Sequence, residues 1–340
     1  MKPARVRVVT VDLGAATGWD TVTLLGVLTA RLLGAEHVLV PGAGLGSWRS
    51  QAASLLPRRR GADVTLVIAP QPVHLYAVLD RAHVWPGSEL TAGWVIDAFW
   101  TDRIPAVARG GRHLDHLFVT DEEVVAEWQR VTGVPTTWVP FGADVLGRGR
   151  PGLADRGVDL QRIGRQPEGW EDDAANERRC AAYGLTYAGR PAFVPDPDAN
   201  QRSVESAMAA AKYTLSFSNL ASPADYTHPT RAYLTGRWTD ALAQGAVVAG
   251  IPPHCAATDR LLWPEATLIL PSVDPDEGVP VIAAAAAAWT PDLARHNHAQ
   301  ALARLDWRWR IAELAGSLGL SSPVLDAELE ELSERVRRAD

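Results

Sequence analysis

Arg237 and Asp240 stand three residues apart, just before an apolar run, in the segment YTHPTRAYLTGRWTDALAQGAVVAG at residues 226–250. Residues at that spacing share one face of a helix, so a guanidinium and a carboxylate would point the same way from its first turn. A planar guanidinium fork matches phosphate oxygens, and an ionised carboxylate accepts hydrogen bonds from sugar hydroxyls. The pair therefore suits a phosphorylated, hydroxyl-bearing ligand; the alternative is an i,i+3 surface ion pair of small energetic weight. Thr235 and Gly236 would add a hydroxyl and an amide at the same helix start, and Trp238 an indole face for a sugar or base.

Asp97, in GWVIDAFW, ends a strand-like run among Trp94, Phe99 and Trp100. A carboxylate so placed can serve as general base toward an acceptor hydroxyl, or it can cap the following helix. Asp12 and Asp115 are further carboxylates of this kind, while Asp144, in PFGADVL, reads as structural. The loop Gly14, Ala15, Ala16, Thr17 and Gly18 follows the first strand-like run and precedes a helix, so its amides could meet a phosphate or an acceptor, or serve packing alone. GAGLGS at 42–47 departs from the dinucleotide fingerprint, which needs glycine where Ser47 stands and follows a first strand. A nicotinamide-dependent oxidoreductase is kept as a rival class. The DPD at 196–198 follows Pro195 and holds Pro197 between its acids, and it reads as a turn, so no metal site is expected.

These residues need a frame that delivers them to one edge. RVRVVTVDL at 5–13, HVLVPG at 37–42 and DVTLVIAP at 63–70 read as strands, and the alternation with helical segments continues to residue 142. The stretch GRGRPGLADRGVD at 147–159 has the composition of a connection between domains. A second alternation runs from DLQRIGR through RPAFVPD, the helical NQRSVESAMAAAKY, the strand-like YTLSFSN, the Arg237 helix, VVAGI and TLILP. The alanine run 283–288 favours helix, and residues 292–335 read as further helices. Alternating strands and helices give parallel sheets whose ligands sit beyond the carboxyl ends of the strands.

The order of IGRQPEGW at 163–170, SFSN at 216–219 and RWTDALAQGAVV at 237–248 resembles the C-terminal half of GT-B glycosyltransferases, particularly bacterial members of the spore-coat type. The resemblance covers residues 155–310 and implies an α/β fold of two doubly wound Rossmann-like domains facing each other across a cleft. Residues 1–150 would be the acceptor side and 151–310 the nucleotide-sugar-binding domain, with helices in 311–340 packing back on the first. It implies metal-independent transfer of a sugar from a nucleoside diphosphate, with UDP or GDP as the carrier, to a small-molecule or glycan acceptor, with no cofactor. Arg165 and Arg237 would face the diphosphate and Asp240 the nucleotide ribose. Tyr226, Thr227 and His228 fall in the loop where the family holds the donor, and Ser218 and Asn219 lie near it by chain order. Two features depart from the family: Ala232 stands where many retaining members carry a first acid, and no lysine follows the Gly-Arg pair, since lysine occurs only at Lys2 and Lys212. A catalytically silent sugar-nucleotide-binding relative is the alternative these departures raise.

At 340 residues the length suits two domains, and 47% hydrophobic with 21% charged residues is the balance of a globular enzyme or binding protein. A formal net charge of −7 argues against a nucleic-acid polymer as partner. The short basic run RRR at 58–60 reads as a solvated loop. Two cysteines, Cys180 and Cys255, signal neither a disulfide framework nor a Cys-based metal site, so a reducing cytoplasm is expected. Neither a transmembrane segment nor a secretory signal is expected from the hydropathy.

Overall fold

The computed structural model describes residues 4–14, 18–41, 61–80, 87–109, 114–150 and 155–339. The chain divides into two compact units: residues 1–140 with 195–198 and 310–328, and residues 141–194 with 199–309 and 329–340. The change of unit at residues 140–141 thus precedes the Gly- and Arg-rich stretch that begins at residue 147. Residues 141–148 are bonded into the second unit: Ala143 bridges Asp306, Thr239 Oγ1 donates to Gly142 O at 3.0 Å, and Gln244 Nε2 donates to Arg148 O at 3.2 Å.

The first unit holds β1 (Val6–Asp12), α1 (Asp20–Leu33), β2 (Glu36–Pro41), β3 (Val64–Ala69), α2 (Pro72–Asp80), β4 (Leu90–Val95), β5 (His116–Val119), α3 (Val125–Thr132) and β6 (Thr136–Trp138). Its six strands are parallel in the order β2-β1-β3-β4-β5-β6. β3 is buried along its whole length, as expected of a parallel strand covered on both faces, which is why it reads VTLVIA without alternation. Val9, Val67, Leu75, Leu117 and Trp128 belong to the core beside it.

In the second unit are α4 (Val145–Arg148), β7 (Val158–Arg162), α5 (Asp173–Ala182), β8 (Tyr187–Ala188), α6 (Pro197–Ala209), β9 (Ala211–Leu215), α7 (Gly236–Ala243), β10 (Val247–Gly250), α8 (Ala256–Leu261), β11 (Thr267–Ile269), α9 (Pro275–Ala287) and α10 (Pro291–Arg304). The sheet is parallel in the order β11-β10-β9-β7-β8. β9 and β10 crowd together beyond their paired residues: a Cβ on Gly250 would lie 1.7 Å from Ser216 O, so only glycine fits. RPAFVPD forms no strand, because Pro191 and Pro195 remove ladder donors and β8 stops at Ala188. DPD is the entry to α6 rather than a free turn, with Pro197 as first helical residue.

Two helices close the chain, α11 (Trp307–Ser317) and α12 (Pro323–Ala339). Arg310–Glu328 groups with the first unit, where the Glu328 carboxylate pairs with Arg31 and Ser322 Oγ donates to Leu32 O, whereas Leu329–Asp340 groups with the second. Among the described residues, no helix is long and apolar enough to cross a membrane.

Candidate functional site

Both sheets reverse direction at one point, between β1 and β3 in the first unit and between β7 and β9 in the second. Crossovers leave to opposite sides there, so the loops beyond the strand ends part and leave a crevice, the usual ligand position in open α/β sheets. In the second unit the crevice is bordered by the loops after β7 and β9. Gln166 ties them together, its Nε2 donating to Ile163 O at 2.7 Å and to Leu215 O at 3.0 Å. A buried guanidinium supports the first loop from below: Arg162 grips Asp173 through two nitrogens and Glu171 through a third, and Glu171 accepts from the amide of Gln166. Gly164 has a left-handed φ of +63°, and a Cβ there would come within 3.5 Å of Arg237 Cδ.

α7 opens beside these loops. Thr235 stands at its N-cap without a side-chain cap, and Thr235 Oγ1 is buried with no hydrogen-bond partner among the described residues. The first-turn amides of the helix thus keep their positive partial charge uncompensated by a cap. Arg237, half-buried, donates from Nη1 to Arg165 O at 2.6 Å, and Nε and Nη2 have no hydrogen-bond partner among the described residues. Burial and the neighbouring Arg165 lower its pKa from the ordinary arginine value. Asp240 lies one turn on and accepts from Gln201 Nε2 at 3.2 Å. Its carboxyl is pushed up to about 7 by burial and by Glu205, against the opposing pull of Gln201 and Arg148.

The remaining donor-side candidates are bound up in the loop between β9 and α7. Asn219 Nδ2 donates at 2.8 Å to both His228 O and Arg231 O, and its buried Oδ1 has no partner among the described residues. Thr227 Oγ1 closes a turn on the amide and carbonyl of Ala224, each at 2.9 Å. His228 Nδ1 accepts from the amides of Thr230 and Arg231 at 3.2 and 3.0 Å, which puts the proton of the neutral ring on Nε2. Ser218 Oγ accepts from Leu220 N at 3.3 Å. Arg165 donates to Tyr226 Oη, Ser222 Oγ, Ser222 O and Pro223 O. Its guanidinium therefore holds the loop, and only its carbonyl reaches Arg237.

Trp238 requires a correction. The indole is 1% exposed, packed in the interior of its unit, and offers no stacking face. Gly236 keeps its place at the helix start because a Cβ would approach the Phe141 ring to 3.2 Å.

In the first unit, Asp97 follows β4, and its amide donates to Pro70 O at 2.7 Å. The turn of helix that follows begins at Thr101 with Trp100 at its N-cap, so Asp97 is not the N-cap residue of that turn. Burial and Asp121 hold its carboxyl well above the usual carboxylate range, although a hydrogen bond from Gln71 and the charge of Arg103 favour ionisation. Asp12 Oδ1 accepts from Gly14 N at 2.9 Å and Asp115 Oδ2 from Thr91 N at 2.7 Å, so both carboxylates bind backbone. Gly14 and Gly18 take left-handed φ values of +79° and +75°; Ala15, Ala16 and Thr17 lie outside the described residues, as do the GAGLGS and RRR segments. Among the described residues, no three His, Cys, Asp or Glu side chains gather as a metal site. Asp144 is structural, capping α4 through Gly147 N and pairing with Arg308 at 2.7 Å.

The sequence left Gln201 and Glu205 unnoticed, although their spacing of four on α6 puts them on one face.

No protein-family model matches the chain, and no curated protein matches it in sequence. Among solved structures, HepE of Anabaena, in complex with UDP and glucose, aligns at 11% identity over 92% of this chain and 99% of its own, with a TM-score of 0.54. TarM of S. aureus aligns at 9% identity over 81% of this chain and 55% of its own, with a TM-score of 0.42. The lipopolysaccharide outer core galactosyltransferase WaaB gives 10%, 88%, 99% and 0.40 for the same four measures. The likeness to HepE carries the assignment, and the chain has the GT-B fold expected from its motifs.

Proposed function

We propose that the chain is a glycosyltransferase that moves a sugar from a nucleoside diphosphate to a small-molecule or glycan acceptor, without a metal ion or other cofactor. The observation that carries this reading is Arg237, half-buried at an uncapped helix start beside the loops after β7 and β9, with two guanidinium nitrogens that have no hydrogen-bond partner among the described residues. Breaking the bond between the sugar's anomeric carbon and the diphosphate oxygen leaves positive charge on the sugar and negative charge on the diphosphate. A guanidinium and helix-start amides fixed beforehand favour that separation, because they need no reorganisation as the charge develops. Asp240 accepts from the ribose hydroxyls, and Arg165 acts by holding the 222–226 loop in place. The pairing of UDP and glucose in HepE is consistent with such a ligand.

Asp97 takes the acceptor hydroxyl's proton. A carboxyl titrating above the usual range is a stronger base once ionised, which suits it to accept that proton. Ala232, where many retaining members of the fold carry an acid, keeps one other reading in view: a relative that binds the donor but transfers nothing.

Thermal unfolding against a panel of UDP, GDP, their sugars and NADH tests the proposal, since a ligand that binds only the folded state raises the melting temperature by mass action. Stabilisation by a nucleoside diphosphate or its sugar, with none from NADH, is expected; the reverse pattern would overturn the reading. Release of free UDP or GDP from the stabilising sugar nucleotide, in the presence of candidate acceptors, separates an enzyme from a silent binder.

A further inference from the structure

Asp240 is one member of a polar cluster between helices. Gln201, buried on α6, donates to Asp240 Oδ2 at 3.2 Å and also hydrogen-bonds Glu205, one turn further along the same helix. Arg148, at the end of α4, donates from Nε to Glu205 Oε1 at 2.8 Å. The cluster thus runs Arg148, Glu205, Gln201, Asp240, with two carboxyls brought onto one amide.

Among the described residues, the charged groups acting on this carboxyl and its partner Glu205 lie on or beside neighbouring helices. α6 contributes Glu205 and α4 contributes Arg148, while Asp144, preceding α4, acts on Glu205. His298 on α10 lies at the far end of α7, where it hydrogen-bonds Ala243 O, and Arg237 on α7 itself turns to Arg165 O. Among the described residues, Glu205 opposes ionisation of Asp240 by its charge and Gln201 supplies it with a side-chain hydrogen bond.

We propose that Gln201 and Glu205 are positioning residues for Asp240: Gln201 orients Oδ2 and Glu205 sets a second negative charge against it, so that together they determine the pH above which Asp240 accepts from the vicinal hydroxyls of a ribose. This rests on the reading of the crevice as a nucleoside diphosphate site. A protonated carboxyl has lost one acceptor oxygen to its own proton. With the Asp240 carboxyl pushed up to about 7, ligand affinity rises with pH through neutrality. Removing the Glu205 charge moves that midpoint down, and removing the Gln201 amide moves it up. A residue that served only to pack α6 on α7 would change affinity without moving the midpoint.

The test is calorimetric titration of the full chain with UDP, and separately with GDP, at pH 6, 7 and 8 for the parent, Glu205→Gln and Gln201→Leu. Each is referred to Asp240→Asn, which cancels the ligand's own phosphate titration. Parent Kd should fall about tenfold from pH 6 to pH 8, the span of a single site titrating near neutrality. Glu205→Gln should bind more tightly than the parent at pH 6, and Gln201→Leu should need higher pH to reach the same affinity. Carboxyl NMR of the ligand-free protein, with Asp240 assigned from Asp240→Asn, follows the same midpoint without any ligand. Midpoints unchanged in both variants would overturn the proposal. If neither diphosphate binds the parent, the functional reading fails, and the ligand-free titration alone decides whether Gln201 and Glu205 govern Asp240.

Discussion

Arg165 and Tyr226 are joined by a hydrogen bond of 2.8 Å from Nε to the phenol oxygen, and the guanidinium lies 5.5 Å from the ring centroid. This contact ties the loop after β7 to the loop after β9 on one side of the crevice. It also divides the labour between two arginines: Arg165 supplies its side chain to the loop and its carbonyl to Arg237, leaving Arg237 with open donors.

Arg237→Ala should weaken UDP or GDP binding by about 1.5–3 kcal/mol, the range for a hydrogen bond to a charged group. Arg165→Ala should act indirectly, with faster amide exchange across residues 222–228 and a smaller loss of affinity. Calorimetry and hydrogen exchange on the two variants check this; equal losses of affinity with unchanged exchange would contradict the division.

Asn219→Ala should lower stability by about 1–3 kcal/mol, since it strips a buried donor from two carbonyls at once. Protection should be lost from residue 220 to residue 235 before it is lost in the strands. A melting curve with residue-resolved exchange measures both effects.

Asp97→Asn should raise the melting temperature at neutral pH while slowing transfer by about a hundredfold or more, the usual weight of a general base. The sign follows from linkage. A carboxyl whose folded pKa lies above its unfolded one gives its full stabilisation below the unfolded value and loses it as pH rises through the folded one. The variant carries no such charge, so its stability advantage over the parent should widen from pH 4 to pH 8. A constant gap would mean that folding does not raise the Asp97 pKa.

Arg308→Met should destabilise the second unit by about 3–5 kcal/mol, because it leaves buried Asp306 without its countercharge. Asp144 loses its ion pair in the same step. Chemical denaturation followed by tryptophan fluorescence reads the loss, with Trp307 beside Phe141 as a local reporter at a centroid distance of 4.9 Å.

Local patterns made much of this architecture legible. Runs such as VTLVIA announce strands covered on both faces, and the Gly-Arg pair, SFSN and the Arg237 helix place three segments at strand ends by chain order alone. What stayed hidden depended on long-range partners. Trp238 sits at a helix start, where an indole can face a ligand or the interior, and only the packing around α7 decides between them. Asn219 looks like a ligand contact until His228 and Arg231 are brought back to it. Gln201 meets Asp240 across 39 positions of sequence, a separation no periodicity reports. RPAFVPD has apolar residues enough for a strand, but its two prolines remove the donors that would have paired it.

The crevice between β7 and β9 arises from the order in which strands are laid side by side, and no side chain within it is needed to open it. Its lining can therefore be exchanged while the scaffold persists. Grafting new loops after these two strands is the natural route to retargeting this molecule toward another phosphorylated compound.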